Sequence, residues 1–141
     1  MGFFRIDGTL TGLSAEKQLY NDFAIYDHLA FRQIDGSEKR LENDIGVPIE
    51  LDALMTPSLQ GRFYAYSIGF FGRRGLFAVR TQKGERRAVF KVPGEGMLLP
   101  LGIFCVVTVL FIPFAIIFLG RHAGVRKAKR EAEEAWKADG N

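Results

Sequence analysis

The stretch GRFYAYSIGFFGRRGLFAVRTQKGERRAVFKV, Gly61–Val92, decides how this 141-residue chain is read. It holds three runs rich in aromatic and β-branched residues, GRFYAYSIGFF, GLFAVRTQ and RRAVFKV. Between them stand GRRG (Gly72–Gly75) and KGE (Lys83–Glu85), both good turn chemistry. Strand-forming runs in such quick succession predict a three-stranded antiparallel meander over 61–92.

Reading outward toward the N-terminus, FFRIDGTLTGL suits a twisted strand. FAIYDHLAFRQI sets Phe23 and Ile25, then Leu29 and Phe31, at period-two spacing. SAEKQLYND, with Ser14 as an N-cap, predicts one short helix after the first strand. Residues 35–60 give no clear element, and Pro48 and Pro57 mark breaks. The expectation is a small β-rich, mainly antiparallel domain over 1–96, an α+β barrel or a sandwich. Burial alone stabilises so small a domain only marginally, so contacts outside it would contribute.

On the C-terminal side, Met97–Leu119 gives 23 residues without a charge, sixteen of them Leu, Ile, Val or Phe. As one helix it would be roughly 34 Å long, enough for a hydrocarbon core of about 30 Å. It therefore reads as a single-pass transmembrane helix. A hairpin returning both ends to one side is disfavoured, since 23 residues are few for two crossings. Pro100 falls in the first turn of such a helix, whereas Pro113 is interior and predicts a kink. Residues 120–141 form a basic, then mixed-charge, helical tail. Lys127/Glu131, Lys129/Glu133, Arg130/Glu134 and Glu133/Lys137 are spaced to pair at i, i+4. Trp136 is the tail's one large apolar residue.

Charge is unevenly placed. Residues 1–60 hold five Lys/Arg against ten Asp/Glu, a net of −5, and residues 61–96 hold eight against two, a net of +6. The basic meander thus leads directly into the apolar rod. Contact with lipid phosphates, docking on an acidic partner and a merely solvated basic face all fit it. Nucleic acid fits less well, because the interleaved aromatics Phe63, Tyr64, Tyr66, Phe70 and Phe71 read first as a core face. The candidate contact residues are Arg73, Arg74, Arg80, Lys83, Arg86, Arg87, Lys91, Arg121, Arg126, Lys127 and Trp136. The charges nearest the rod, Arg121 to Arg130, favour a cytoplasmic C-terminus. No cleavable signal peptide is legible in MGFFRIDGTL.

Chemistry-bearing motifs are nearly absent. No P-loop, HExxH or GxSxG occurs. The single cysteine, Cys105, lies in the apolar rod, and His28 and His122 stand far apart with no ligand spacing around them, so no metal site is expected. Asp27 and His28 are adjacent, but strand neighbours point to opposite faces. No cofactor or small-molecule substrate is implied. The chain reads as a non-enzymatic accessory or assembly subunit of a larger integral membrane complex. The alternative is a membrane-tethered adaptor that binds anionic headgroups or an acidic partner through 61–92.

Overall fold

The computed structural model describes residues 2–68, 73–107 and 112–140; within the helices, residues 98, 102, 104–107, 112, 113 and 115 are described by backbone alone. Seven strands share one mixed sheet: β1 (Gly2–Leu13), β2 (Lys17–Tyr20), β3 (Phe23–Gln33), β4 (Glu38–Pro48), β5 (Gln60–Ile68), β6 (Arg73–Thr81) and β7 (Arg86–Ala88). A one-turn helix α1 (Ile49–Asp52) follows β4, and α2 (Glu95–Val107) and α3 (Ile112–Ala138) end the chain.

The sheet curls on itself. Strand β1 pairs with both β5 and β3, and the pairings β5–β6, β6–β4 and β4–β3 complete a ring of five. All are antiparallel except β4–β6, which is parallel at Ile45↔Arg74 and Gly46↔Gly75. Two glycines permit close strand approach. A Cβ on Gly8 would lie 2.1 Å from the Arg32 carbonyl oxygen, and one on Gly61 2.2 Å from that of Arg80. The ring encloses Ile6, Leu10, Ala24, Tyr26, Leu29, Phe31, Leu41, Ile45, Phe63, Ala65 and Val79, all buried.

The expected meander is present as β5–β6–β7, with one shift of register. Arg73 and Arg74 belong to β6, opposite Ile68 and Ser67, rather than to a GRRG turn. Lys83–Glu85 does turn the chain, with Gly84 at φ +92°. Strand β3 departs from simple alternation. Its ladder with β4 shifts between Tyr26 and His28, so the inward set changes from Ala24 and Tyr26 to Leu29 and Phe31. A bulge of this kind inserts one residue and reverses which parity faces the core.

The helix expected over SAEKQLYND is a strand instead. Lys17–Tyr20 pairs with Phe23–Tyr26 through the two-residue turn Asn21–Asp22, where Asn21 takes φ +52°. Ser14 caps no helix; its Oγ accepts the Asp27 N–H at 3.1 Å, beside the bulge.

The single-pass membrane helix, the localisation built on it and the membrane character it gave the chain are overturned. No helix among the described residues is long and apolar enough to cross a membrane. Helix α2 has 13 residues, and α3 has 27 but turns charged from Arg121 onward. The two lie side by side and antiparallel, so that Lys129 Nζ, midway along α3, donates to Glu95 at the start of α2. The kink expected at Pro113 would free the carbonyl of Val109, which lies outside the described residues. Pro100, expected in the first turn, is interior to α2. The side chain of Cys105 lies outside the described set.

The C-terminal half of α3 returns along the outside of the barrel. Val125, Ala128 and Ala132 bury against Tyr66, Ile68, Phe77 and Val92, forming a second core. Small residues at this spacing form one helix stripe and let the backbone approach the sheet closely. Strand β5 is therefore covered on both faces, with Phe63 and Ala65 inward and Tyr64, Tyr66 and Ile68 under the helix.

Candidate functional site

Two surfaces along α3 collect the residues singled out by sequence. One lies at its C-terminus. Tyr64 donates to Asp139 Oδ2 at 2.6 Å, Arg62 pairs with the same carboxylate at 3.0 Å and Arg5 at 3.4 Å, while Arg80 donates to the Asp139 carbonyl. The Tyr64 hydroxyl, chiefly, and the Arg62 guanidinium hold the Asp139 carboxyl below its ordinary range. Burial first and this bond second push the Tyr64 hydroxyl up to about 12. The Trp136 ring meets Tyr64 edge-on at 5.3 Å, and the Arg86 guanidinium lies 4.4 Å over its face. Three expected contact residues, Arg80, Arg86 and Trp136, are thus engaged in fastening the chain's own end.

The second surface lies where β6 begins and α2 departs. Arg73 is exposed and Arg74 half-buried, and neither makes an ion pair among the described residues. Arg121 lies near Arg73; burial, and then that like charge, hold its guanidinium below the usual range. Glu95, the nearby acid, is already matched by Lys129. Beneath these cations Tyr66 is 1% exposed, and its hydroxyl has no hydrogen-bond partner among the described residues. Its ring packs over Gly75, where a Cβ would lie 2.3 Å from Oη. Burial raises the Tyr66 hydroxyl well above an ordinary phenol, Arg73 acting against that rise and Glu95 with it. A cleft of about 380 Å³ opens here, lined by Gln18, Tyr20, Ile25, Asp44, Tyr66, Arg73, Arg74, Val92, Pro93 and Gly94.

Beyond this cleft project α2 and the first turns of α3. Met97, Leu99, Leu101 and Ile103 on one helix, and Phe114, Ile116, Ile117 and Leu119 on the other, are all exposed, Met97 at 71% and Ile116 at 69%. Such a concentration of exposed apolar side chains marks an interaction surface.

The remaining expected residues are dispersed. Arg87 pairs with Glu85 at 3.2 Å, Lys91 with Asp22 at 3.7 Å and Lys127 with Glu131 at 3.8 Å, and Lys83 and Arg126 are exposed. Phe70 and Phe71, considered as stacking residues, lie outside the described residues. Asp27 and His28, expected on opposite faces, both line a shallow cleft with Arg40 and Glu42, because Asp27 is the residue at the bulge. Among the described residues no group of His, Cys, Asp or Glu could hold a metal ion. Sequence reasoning missed Arg62 and Asp139, which meet only through tertiary packing, and weighed Tyr64 and Tyr66 only as core or stacking aromatics.

Comparison of the chain with protein-family models, with curated proteins and with solved structures returned no match.

Proposed function

We propose that the chain is a non-enzymatic adaptor that docks on an anionic bilayer surface, with the apolar end of the α2–α3 pair seated among the acyl chains of one leaflet. The observation that carries this reading is the union of eight exposed large apolar side chains with Arg73, Arg74 and Arg121 at their base. Cations there would meet headgroup phosphates while the apolar side chains lie deeper. Length agrees: residues 97–107 rise roughly 16 Å as a helix, against about 15 Å for half of a hydrocarbon core. This seating needs no crossing helix. The barrel, attached on the far side, remains free to carry a protein partner.

The test is sedimentation of the full chain with protein-free vesicles. The expected result is pelleting with vesicles containing phosphatidylglycerol and weaker pelleting with phosphatidylcholine alone. A chain that stays in the supernatant with both, yet co-purifies in detergent with a fixed set of larger proteins, would instead be an accessory subunit whose apolar helices pack on protein.

A further inference from the structure

The cleft at the base of the helix pair has the features of a built anion site. We propose that Arg73, Arg74 and Tyr66 form a binding site for a single phosphodiester group, supplied by the headgroup of a membrane phospholipid; this rests on the bilayer docking proposed above.

Three observations carry the site. Tyr66, 1% exposed, has a hydroxyl with no partner among the described residues, although its residue lines the cleft. A buried hydroxyl without a hydrogen bond costs roughly 1–3 kcal/mol, and a bound oxygen would remove that cost. Gly75 and Gly46 leave the room it occupies: a Cβ on Gly75 would lie 2.3 Å from Oη, and one on Gly46 3.6 Å from it. The second observation is charge. Arg73 and Arg74 line the cleft without ion pairs among the described residues, and Arg121 crowds Arg73 rather than relieving it. An anion bridging these guanidiniums would relieve that repulsion, and guanidinium forks suit phosphate oxygens.

The third observation sets the ligand class. Asp44 also lines the cleft. Two arginines against one carboxylate leave the lining net positive, which suits an anionic phosphate. Asp44 also offers a counter-charge to an amine on the same headgroup. Placement agrees with the source. Pro93 and Gly94 line the cleft, and Glu95 opens the helix that leads to the exposed apolar residues, so a lipid held by its phosphate would have its chains directed along α2.

The experiment titrates the full chain in a mild nonionic detergent with short-chain dihexanoyl phosphatidylglycerol, following the ring signals of the four tyrosines by NMR. The rings of Tyr66 and Tyr20, which line the cleft, are expected to shift, and those of Tyr26 and Tyr64 are not. Tyr66→Phe should weaken binding about tenfold, and Arg73→Gln with Arg74→Gln by about 30-fold or more. Tyr66→Phe removes an unpaired hydroxyl, so it should fold at least as stably as the parent. If that variant gains stability and binds with unchanged affinity, the site is overturned, whether or not vesicles still pellet the chain. An equal response to inorganic phosphate would overturn the lipid source. Conversely, an undisturbed Tyr66 response in a chain that no vesicle pellets would uphold the site while removing the bilayer reading beneath it.

Discussion

Tyr64 and Asp139, 75 positions apart, are joined by a 2.6 Å hydrogen bond that closes the C-terminal end of α3 onto the outside of the barrel. Arg62 and Arg5 complete the setting of the same carboxylate. Because Asp139 titrates below its ordinary value of 3.8 in the folded chain, it contributes stability above that pH. The contribution is lost as pH falls through the lowered value. Amide protection factors across 132–140 should therefore be high at pH 6 and fall as the pH drops through that lowered value, before those of the barrel's own amides do. Asp139→Asn should show low protection there already at pH 6. Equal protection of the variant and the parent at pH 6 would rule the clamp out.

Trp136 is the chain's only tryptophan, so its emission reports this contact alone. With Tyr64 at its edge and Arg86 over its face, the ring is held on the barrel. Arg86→Ala should shift the emission to the red and lower stability by about 1 kcal/mol, the scale of a partly exposed cation–π pair. Adding Tyr64→Leu, which removes the ring that meets Trp136, should give a combined loss that differs from the sum of the two single losses, since both side chains share Trp136. Strict additivity would mean that the two contacts act independently.

The strands of the meander were legible because their turn chemistry and their aromatic density point the same way. Three other features were not legible, each for a physical reason. The Asp27 bulge reverses strand parity without any glycine or proline to signal it, so the period-two spacing of Phe23 and Ile25 does not carry through to Leu29 and Phe31. In SAEKQLYND, helix propensity and the Ser14 cap lose to pairing with β3, a tertiary gain that local pattern does not contain. Hydropathy measures how many apolar residues adjoin, not their direction. Twenty-three uncharged residues fit one crossing or two shorter helices, and the Glu95–Lys129 pair is what distinguishes the second case. The Asp139 clamp and the Tyr66 cleft gather residues from separate strands and helices, so only the fold brings them together.

Gly75 tests whether the Tyr66 ring is fixed where the structure puts it. A Cβ there would meet Tyr66 Oη at 2.3 Å and the Gly46 carbonyl oxygen at 2.5 Å, and the second is backbone that cannot rotate away. Gly75→Ala should cost about 3 kcal/mol, at the upper end of overpacking losses, seen as an earlier urea midpoint. Gly120 is the control, since a Cβ at this helical position meets nothing within 4 Å. Gly120→Ala should raise stability by about 0.5–1 kcal/mol, because alanine loses less backbone freedom in a helix. A Gly75→Ala variant as stable as the parent would show that the ring has another place to go.

The final prediction separates the two forces assigned to the docking surface. Eight exposed apolar side chains, each gaining roughly 1 kcal/mol on leaving water, supply about 8 kcal/mol. Arg73, Arg74 and Arg121 supply about 3 kcal/mol at a surface containing anionic lipid. The apolar part is the larger, and salt does not screen it. Vesicle binding of the parent should therefore weaken in 0.5 M NaCl without being abolished. Arg73→Gln with Arg74→Gln should remove most of that salt dependence while leaving residual binding. Leu101→Asp with Ile116→Asp should abolish pelleting at every salt concentration, and because both side chains are exposed, at 44% and 69%, the barrel should keep its stability. If the arginine pair instead accounts for all binding and the aspartate pair for none, the helices do not enter the leaflet and the surface docks by charge alone.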